Sequence, residues 1–262
     1  MERIPSVETP LAVESEPATN RSVERACALL GAFAPEQPRL TLGALAASAG
    51  LPKPTAHRIV TTLVQCGFMA QHEDGTYALG FRLLSLGAIV RENLDVVRAC
   101  APAMERLARA TGETVILGEA DWAAREVTIV HRVDSSHTLS VLSPIGRRSA
   151  IPPGALGKAL LIGLADAELE AVLGALPLDA ETDRTHTDPV ALLQEIRRSR
   201  ALGYVVEEGE YLADVSGVAA PVRLEGTRPL AALGLVGPTT RLHGEIERLG
   251  ALVRDVAAEL SA

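Results

Sequence analysis

The chain is poor in aromatic residues, in cysteine and in lysine. Phe, Tyr and Trp make up 3% of its 262 residues, so any core must be packed from Leu, Val, Ile and Ala. Cys27, Cys66 and Cys100 are isolated, odd in number and in no metal-like spacing. That excludes a disulfide framework and a thiolate zinc site, and it fits free thiols in a reducing compartment. His131, His137, His186 and His243 are scattered without ligand spacing, so no metal or other cofactor is expected. No apolar run reaches the roughly 18 residues of a membrane span, so the expected location is cytoplasmic, with no membrane partner. The only lysines are Lys53 and Lys158.

Hydrophobic residues are 47% and charged residues 22% of the chain, enough to bury real cores, and the length suits two domains. Residues 1–19 are rich in Glu, Pro, Ser and Thr and lack an apolar signal core, which reads as a disordered tail. The net charge of −8 is unevenly spread: −3 over residues 1–19, +2 over 20–82 and −7 over 83–262. The one net-positive stretch is the place to look for an anionic partner.

That stretch has a clear period. In "NRSVERACALLGAF" (20–33), Val23, Ala26, Cys27, Leu30 and Phe33 recur at helical spacing, with Asn20 or Ser22 able to cap the start. After the breaker "APEQPR", "TLGALAASAG" (41–50) offers Thr41 as an N-cap, Leu42 and Leu45 inward, and Gly50 as a stop. "LPKPTAHRIVTTLVQCG" (51–67) then starts on Pro52 and Pro54 and turns Ile59, Leu63 and Cys66 inward. Two short helices joined by a tight turn are the plan of a helix-turn-helix. On the second helix Thr55, Arg58 and Thr62 sit at i, i+3 and i+7, with His57 and Thr61 beside them. Short hydroxyls, His and Arg on one face suit base edges and phosphates of a DNA major groove. "FMAQHEDGTYALG" (68–80) alternates apolar and polar residues around Asp74-Gly75, a hairpin signal, so the domain at 20–82 reads as a winged helix. Lys53, Thr41, Arg21 and the Asp74-Gly75 tip are the candidate backbone contacts. The alternative is a small helical domain with a merely solvated polar face.

Beyond it, "GFRLLSLGAIVREN" carries Phe81, Leu83, Leu84, Leu86 and Ile89, too apolar a helix to stand alone. A connector is expected at 83–96, packed on another subunit or, alternatively, in a core. A second helix, "LDVVRACAPAMERLARATG" (94–112), bends near Pro102 and closes at Gly112. In the domain expected at 97–262, the pattern from 114 onward is strands ("TVILGEA", "EVTIVHRVD", "TLSVLS"), helices (154–176 and 188–203), strands ("YVVEE", "SGVAAPVRL", "PLAALGLVG") and a last helix at 241–262. Hairpin-like links imply an antiparallel sheet with helices packed on it, an α+β fold. "GALGKA" fails as a phosphate loop, because Pro152 and Ala159 stand where Gly and Ser or Thr are needed. Glu207, Glu208 and Glu210 read as solvated acids, and no nucleophile and base adjoin, so an enzyme is not expected.

"SVERACALL", "LTLGALAASAGLPKPTAHRIVTTLVQCGFM" and "YALGFRLLSLG" resemble the DNA-binding half of the IclR family of bacterial transcription regulators. "TGETVILG", "IGRR", "GALGKALL", "GYVVEEGE", "GVAAPVR" and "LGLVGP" are similar to that family's effector-binding domain, in order and spacing. The resemblance implies a homodimer or dimer of dimers on palindromic double-stranded operator DNA, usually as a repressor. It also implies a GAF/PAS-like sensor domain for a small-molecule effector. It places the effector pocket at Gly154, Ala155, Leu156, Glu207, Gly217, Val218, Gly234 and Val236. Where relatives that sense small carboxylates carry an acid, a cysteine and two serines, this chain has Glu207, Gly217, Gly234 and Val236, and Pro152 replaces a usual His. Only the acid survives. An unpaired buried charge is costly, so a pocket enlarged by glycine should take a larger, mainly apolar effector with one polar end, or none at all. The alternative from another class is a metabolite-binding or enzymatic protein whose helix-turn-helix serves protein interaction.

Overall fold

The computed structural model describes residues 20–176, 178–223 and 231–261. The tail expected to be disordered at 1–19 lies outside the described residues. The chain divides into two compact units, one ending at Val90 and one beginning at Arg91. Among the described residues no helix is long and apolar enough to cross a membrane.

The first unit contains α1 (Arg21–Leu30), α2 (Leu42–Ser48), α3 (Lys53–Gln65), the antiparallel hairpin of β1 (Met69–Gln71) and β2 (Tyr77–Leu79), and most of α4 (Phe81–Glu92). The side chains of Asn20 and Thr41 cap α1 and α2, accepting from the amides of Ser22 (3.0 Å) and Ala44 (3.2 Å). Gly50 takes φ +62°, and the amides of Gly50 and Leu51 donate back to the carbonyls of Ala47 and Ala46. A residue with a Cβ is disfavoured there, so this glycine makes the sharp turn into α3.

Two helix faces differ from expectation. On α1, Val23 and Cys27 are exposed, and Leu29 is the residue buried outright. On α3 the buried stripe is Ala56, Val60 and Leu63; Ile59 is half-buried and Cys66 is exposed. The small Ala56 lets α3 lie close to its neighbours, which rotates the inward stripe toward it. No residue of α4 is buried: Phe81 is 89% and Leu84 71% exposed. The range 83–96 expected for a connector falls on α4 and the first residues of the next helix, with a break at Asn93–Leu94.

The second unit opens with α5 (Asp95–Thr111), closed by Gly112 in the left-handed region. Then come β3 (Thr114–Asp121), β4 (Glu126–Val133), β5 (Arg148–Ala150), α6 (Ala155–Ile162), α7 (Asp166–Leu173) and α8 (Pro189–Leu202). They are followed by β6 (Val205–Glu208), β7 (Val215–Val222), β8 (Ala231–Pro238), α9 (Thr239–Leu242) and α10 (Ile246–Leu260). The six strands form one sheet in the order β5-β4-β3-β8-β7-β6, with every neighbouring pair antiparallel. Alternation along each strand sorts the side chains by face. Val115, Leu117, Val218, Ala220, Leu233 and Leu235 pack with α5 and α10, while Ile116, Ala219 and Ala232 pack with α6. The fold is α+β.

The strand expected at 138–143 does not form. Arg148–Ala150 takes the edge of β4 instead, and the segment before it is held by its carbonyls. Arg241 donates to Leu139 O (3.1 Å), Arg132 to Ser143 O (3.3 Å) and the Thr114 hydroxyl to Val141 O (3.5 Å). The helix expected over 154–176 is split into α6 and α7 after Gly163, and the last helix is interrupted by a 3₁₀ turn at His243–Glu245.

Gly250 lies inside α10, where glycine costs about 1 kcal/mol relative to alanine. A Cβ there would come within 2.6 Å of three carbons of the Tyr204 ring, which packs directly on the helix at this point. Gly250→Ala should therefore destabilise the protein by about 1–3 kcal/mol despite its better helix propensity. Adding Tyr204→Ala should make the pair strongly non-additive. Urea unfolding of the four proteins checks this; a Gly250→Ala protein more stable than wild type would contradict the packing.

Candidate functional site

Two regions gather the candidate residues. On α3, Arg58 and Thr61 lie about half a turn from the buried Ala56–Val60–Leu63 stripe, which aims them away from the core. Thr55, half-buried, and the exposed Arg58 and Thr62 border a groove against Asn20, Ser22 and Arg25 at the start of α1. His57 is exposed on the other flank. The hydroxyls of Thr61 and Thr62 donate to the carbonyls of His57 (2.8 Å) and Arg58 (3.1 Å). Their protons are thus committed to the helix, and outward they present a methyl group and acceptor lone pairs. Lys53 is exposed and its side chain lies over Gly43 in the first turn of α2, next to the Thr41 cap. Arg21 is exposed at the first position of α1.

The hairpin tip is built by Asp74. Its carboxylate accepts from the Thr76 amide (2.9 Å) and hydroxyl (2.6 Å). Those two hydrogen bonds hold the Asp74 carboxyl below the usual carboxylate range. Gly75, at φ +79°, donates its amide to His72 O. Asp74 is therefore a turn-former, as the Asp-Gly hairpin signal implies, and its charge would repel a phosphate.

In the second unit the turn into α6 opens on a cavity of about 80 Å³. Gly154, Ala155, Leu156, Glu207, Gly234 and Val236 line it, six of the eight residues expected there. The other two do not. Val218 points to the opposite face, into the core with α5 and α10, because alternation along β7 sends neighbours of Gly217 and Ala219 to the other side. At Gly217 a Cβ would meet Val236 at 3.2 Å, Leu235 O at 3.3 Å and Ala155 at 3.4 Å, so β8 and α6 together have already taken that space. At Gly234 it would meet Leu156 at 3.0 Å and Ile116 at 3.3 Å. These glycines bring the helix close to the sheet; they do not enlarge the cavity.

The wall is apolar along Ile116, Ile129, Val141, Leu212 and Val215, as expected. Its polar part was missed: Ser143, Arg147, Ser149 and Tyr211 also line the cavity. The Arg147 guanidinium lies over the Tyr211 ring, 5.1 Å from its centroid. Only the "IGRR" stretch pointed there, and nothing in its local pattern separates a pocket arginine from a surface one.

Glu207 and Glu210 are not solvated acids; both are buried. Glu207 Oε1 accepts from the amides of Glu210 (2.6 Å) and Tyr211 (3.1 Å). Burial pushes the Glu207 carboxyl above its ordinary value, against the pull of those amides. On α6, Lys158 is fully buried, with Nζ 2.5 and 2.6 Å from the two Glu210 oxygens and 2.6 Å from Glu195 Oε1. Burial also raises the Glu210 carboxyl, against the attraction of that ammonium. Glu208 faces outward and pairs with His243 at 2.7 Å. His186, Glu195 and Glu210 approach within 4.8 Å of one another, a possible metal grouping. Lys158 Nζ already occupies the place of a cation between the two acids.

Two family descriptions match the chain in succession: "IclR helix-turn-helix domain" at residues 22–73 and "Bacterial transcriptional regulator IclR C-terminal" at 88–262. The glycerol operon regulatory protein of Streptomyces coelicolor is 36% identical over 248 residues, 92% of this chain and 95% of that one. The transcriptional repressor IclR of Escherichia coli is 30% identical over 254 residues, 95% and 93% of the two chains. A solved IclR homolog complexed with 4-hydroxybenzoate, from Microbacterium hydrocarbonoxydans, matches with TM-score 0.77 at 28% identity, covering 92% of this chain and 97% of that one. These matches set aside the reading as an enzyme with a protein-binding helix-turn-helix.

Removing one partner of a buried ion pair leaves a charge uncompensated, at about 3–5 kcal/mol. Lys158→Met should destabilise the second unit by that order, and Lys158→Met with Glu210→Gln should recover part of the loss. Thermal unfolding of the two proteins decides it: a single variant as stable as wild type would mean the ammonium is dispensable.

Proposed function

Because the chain belongs to the IclR family of bacterial transcriptional regulators, it is a DNA-binding regulator and not an enzyme, and we propose that it is a cytoplasmic repressor acting on palindromic operators. The observation that carries this is the exposed ridge of α3, where Arg58, Thr61, Thr62 and His57 stand clear of the core on a helix fixed by a tight turn. In this reading those four side chains face base edges in the major groove, with Thr55 supporting Arg58 from the α1 side. Arg58 is suited to the paired acceptors of a guanine, and the back-bonded threonines to amino groups or a thymine methyl. Lys53, Thr41 and Arg21 lie along the phosphates, and the hairpin tip at Asp74-Gly75 approaches the flanking backbone with Asp74 serving the turn.

A single helix-turn-helix reads too few base pairs for useful specificity. The bare apolar surface of α4, with Phe81, Leu84, Ile89 and Val90 exposed, supports assembly of the chain as a homodimer or dimer of dimers. Half-sites should then lie about one helical turn, or a multiple, apart. The cavity beside α6 takes a small effector, mainly apolar with one polar end. Its aliphatic wall supports that, and a related protein is complexed with an aromatic acid, 4-hydroxybenzoate.

Gel shifts on the promoter of the protein's own gene test the DNA assignment. Arg58→Ala should cost about 1–3 kcal/mol and relax preference at one position of each half-site. Lys53→Ala should weaken all sequences alike and flatten the salt dependence. Wild-type affinity and specificity in Arg58→Ala would mean the wrong face was assigned. Calorimetry tests the effector class: glyoxylate and pyruvate should bind weakly, because molecules that small leave the aliphatic wall uncovered. Tight binding of either would overturn it.

A further inference from the structure

Accepting the cavity beside α6 as the effector site, we propose that Arg147 is its specificity anchor: the site takes a single-ring carboxylate, with the carboxylate on the Arg147 guanidinium and the ring against the aliphatic wall. Four observations lead there. First, Arg147 lines the cavity and its orientation is fixed by stacking on Tyr211, 5.1 Å away. Second, no carboxylate among the described residues pairs with it. Two other arginines differ: Arg148, next in the chain, pairs with Glu126, and Arg132 on β4 pairs with Asp134 at 2.7 Å. A half-buried guanidinium in an aliphatic pocket is a cation waiting for a planar anion, which it binds through two parallel N–H donors.

Third, the remaining acids of the site cannot serve it. Glu207 is at the buried end, 4% exposed, and spends one oxygen on two backbone amides. Glu210 and Glu195 are drawn to Lys158. An anion placed at that end would meet like charge, so a ligand carboxylate belongs at the half-buried Arg147, where Ser143 and Ser149 offer further hydroxyl donors. Fourth, the cavity of about 80 Å³ is small. It is roughly half an apolar cavity of about 150 Å³ known to accept benzene. One ring is therefore its upper limit, and enters only if side chains of the wall give way; a second ring or a long chain has no place beside Leu156 and Val236.

Benzoate and its neutral isostere benzamide separate charge from shape, and calorimetry on the full-length protein reads both. Wild type should bind benzoate about 10- to 100-fold more tightly than benzamide. Arg147→Met, which keeps the length and the contact with Tyr211, should erase that difference while still binding benzamide, which also reports that the pocket is folded. Arg147→Lys should keep part of the preference. Equal binding of the two ligands by wild type, an undiminished preference in Arg147→Met, or no binding of benzoate overturns the proposal. Leu212→Trp, which narrows the cavity, tells the two levels apart. If it abolishes a benzoate binding that Arg147→Met leaves undiminished, the site is right and the anchor wrong. If binding survives both variants, the site itself is wrong.

Discussion

One buried cation organises the sensor unit. Lys158 sits on α6 with no access to water, and its ammonium holds Glu210 from the turn after β6 and Glu195 from α8. Three elements far apart in sequence converge on one nitrogen, and that convergence brings the β6–β7 turn against the start of α6. The turn in turn supplies Glu207 and Tyr211 to the cavity. The charge count is unbalanced, because Glu195, Glu207 and Glu210 face a single ammonium. Burial lifts the carboxyls of Glu207 and Glu210 against the attraction of Lys158, and backbone amides steady Glu207. Such a cluster is weak as a source of stability but strong as a register mark, since only one arrangement satisfies it.

The two units were legible in the sequence to different depths. In the first, punctuation sufficed: Thr41, Gly50, Pro52 and Pro54 fix where α2 stops and α3 starts, and the polar ridge follows from helical period. What was misjudged there is angular. The stripe through Ala56, Val60 and Leu63 is offset from one drawn through Ile59 and Cys66, because the small Ala56, not a large residue, marks the closest approach.

In the second unit local pattern misled where tertiary partners decide. Glu207 and Glu210 look like surface acids until Lys158, some fifty residues away, is brought to them. "TLSVLS" alternates like a strand, yet a strand needs a free edge and Arg148–Ala150 holds it. Val218 is three residues from the pocket-lining Val215 in sequence and packs on the other side of the sheet. Arg147 left only the "IGRR" stretch as a trace, because its meaning depends on Tyr211 across the cavity. The glycines under α6 were visible but misread: their missing side chains are answered by Leu156 and Ala155, so they set the depth of a helix and not the width of a pocket.

The scarcity of lysine has a chemical consequence once the positions are known. Lys158 is sealed inside an ion cluster and Lys53 is exposed on the α3 ridge. The folded protein therefore presents a single side-chain amine to an acylating reagent, and it lies on the surface assigned to the phosphate backbone. One modification, enzymatic or synthetic, would erase that cation without touching the sensor, and a tag coupled there would report occupancy of the operator directly.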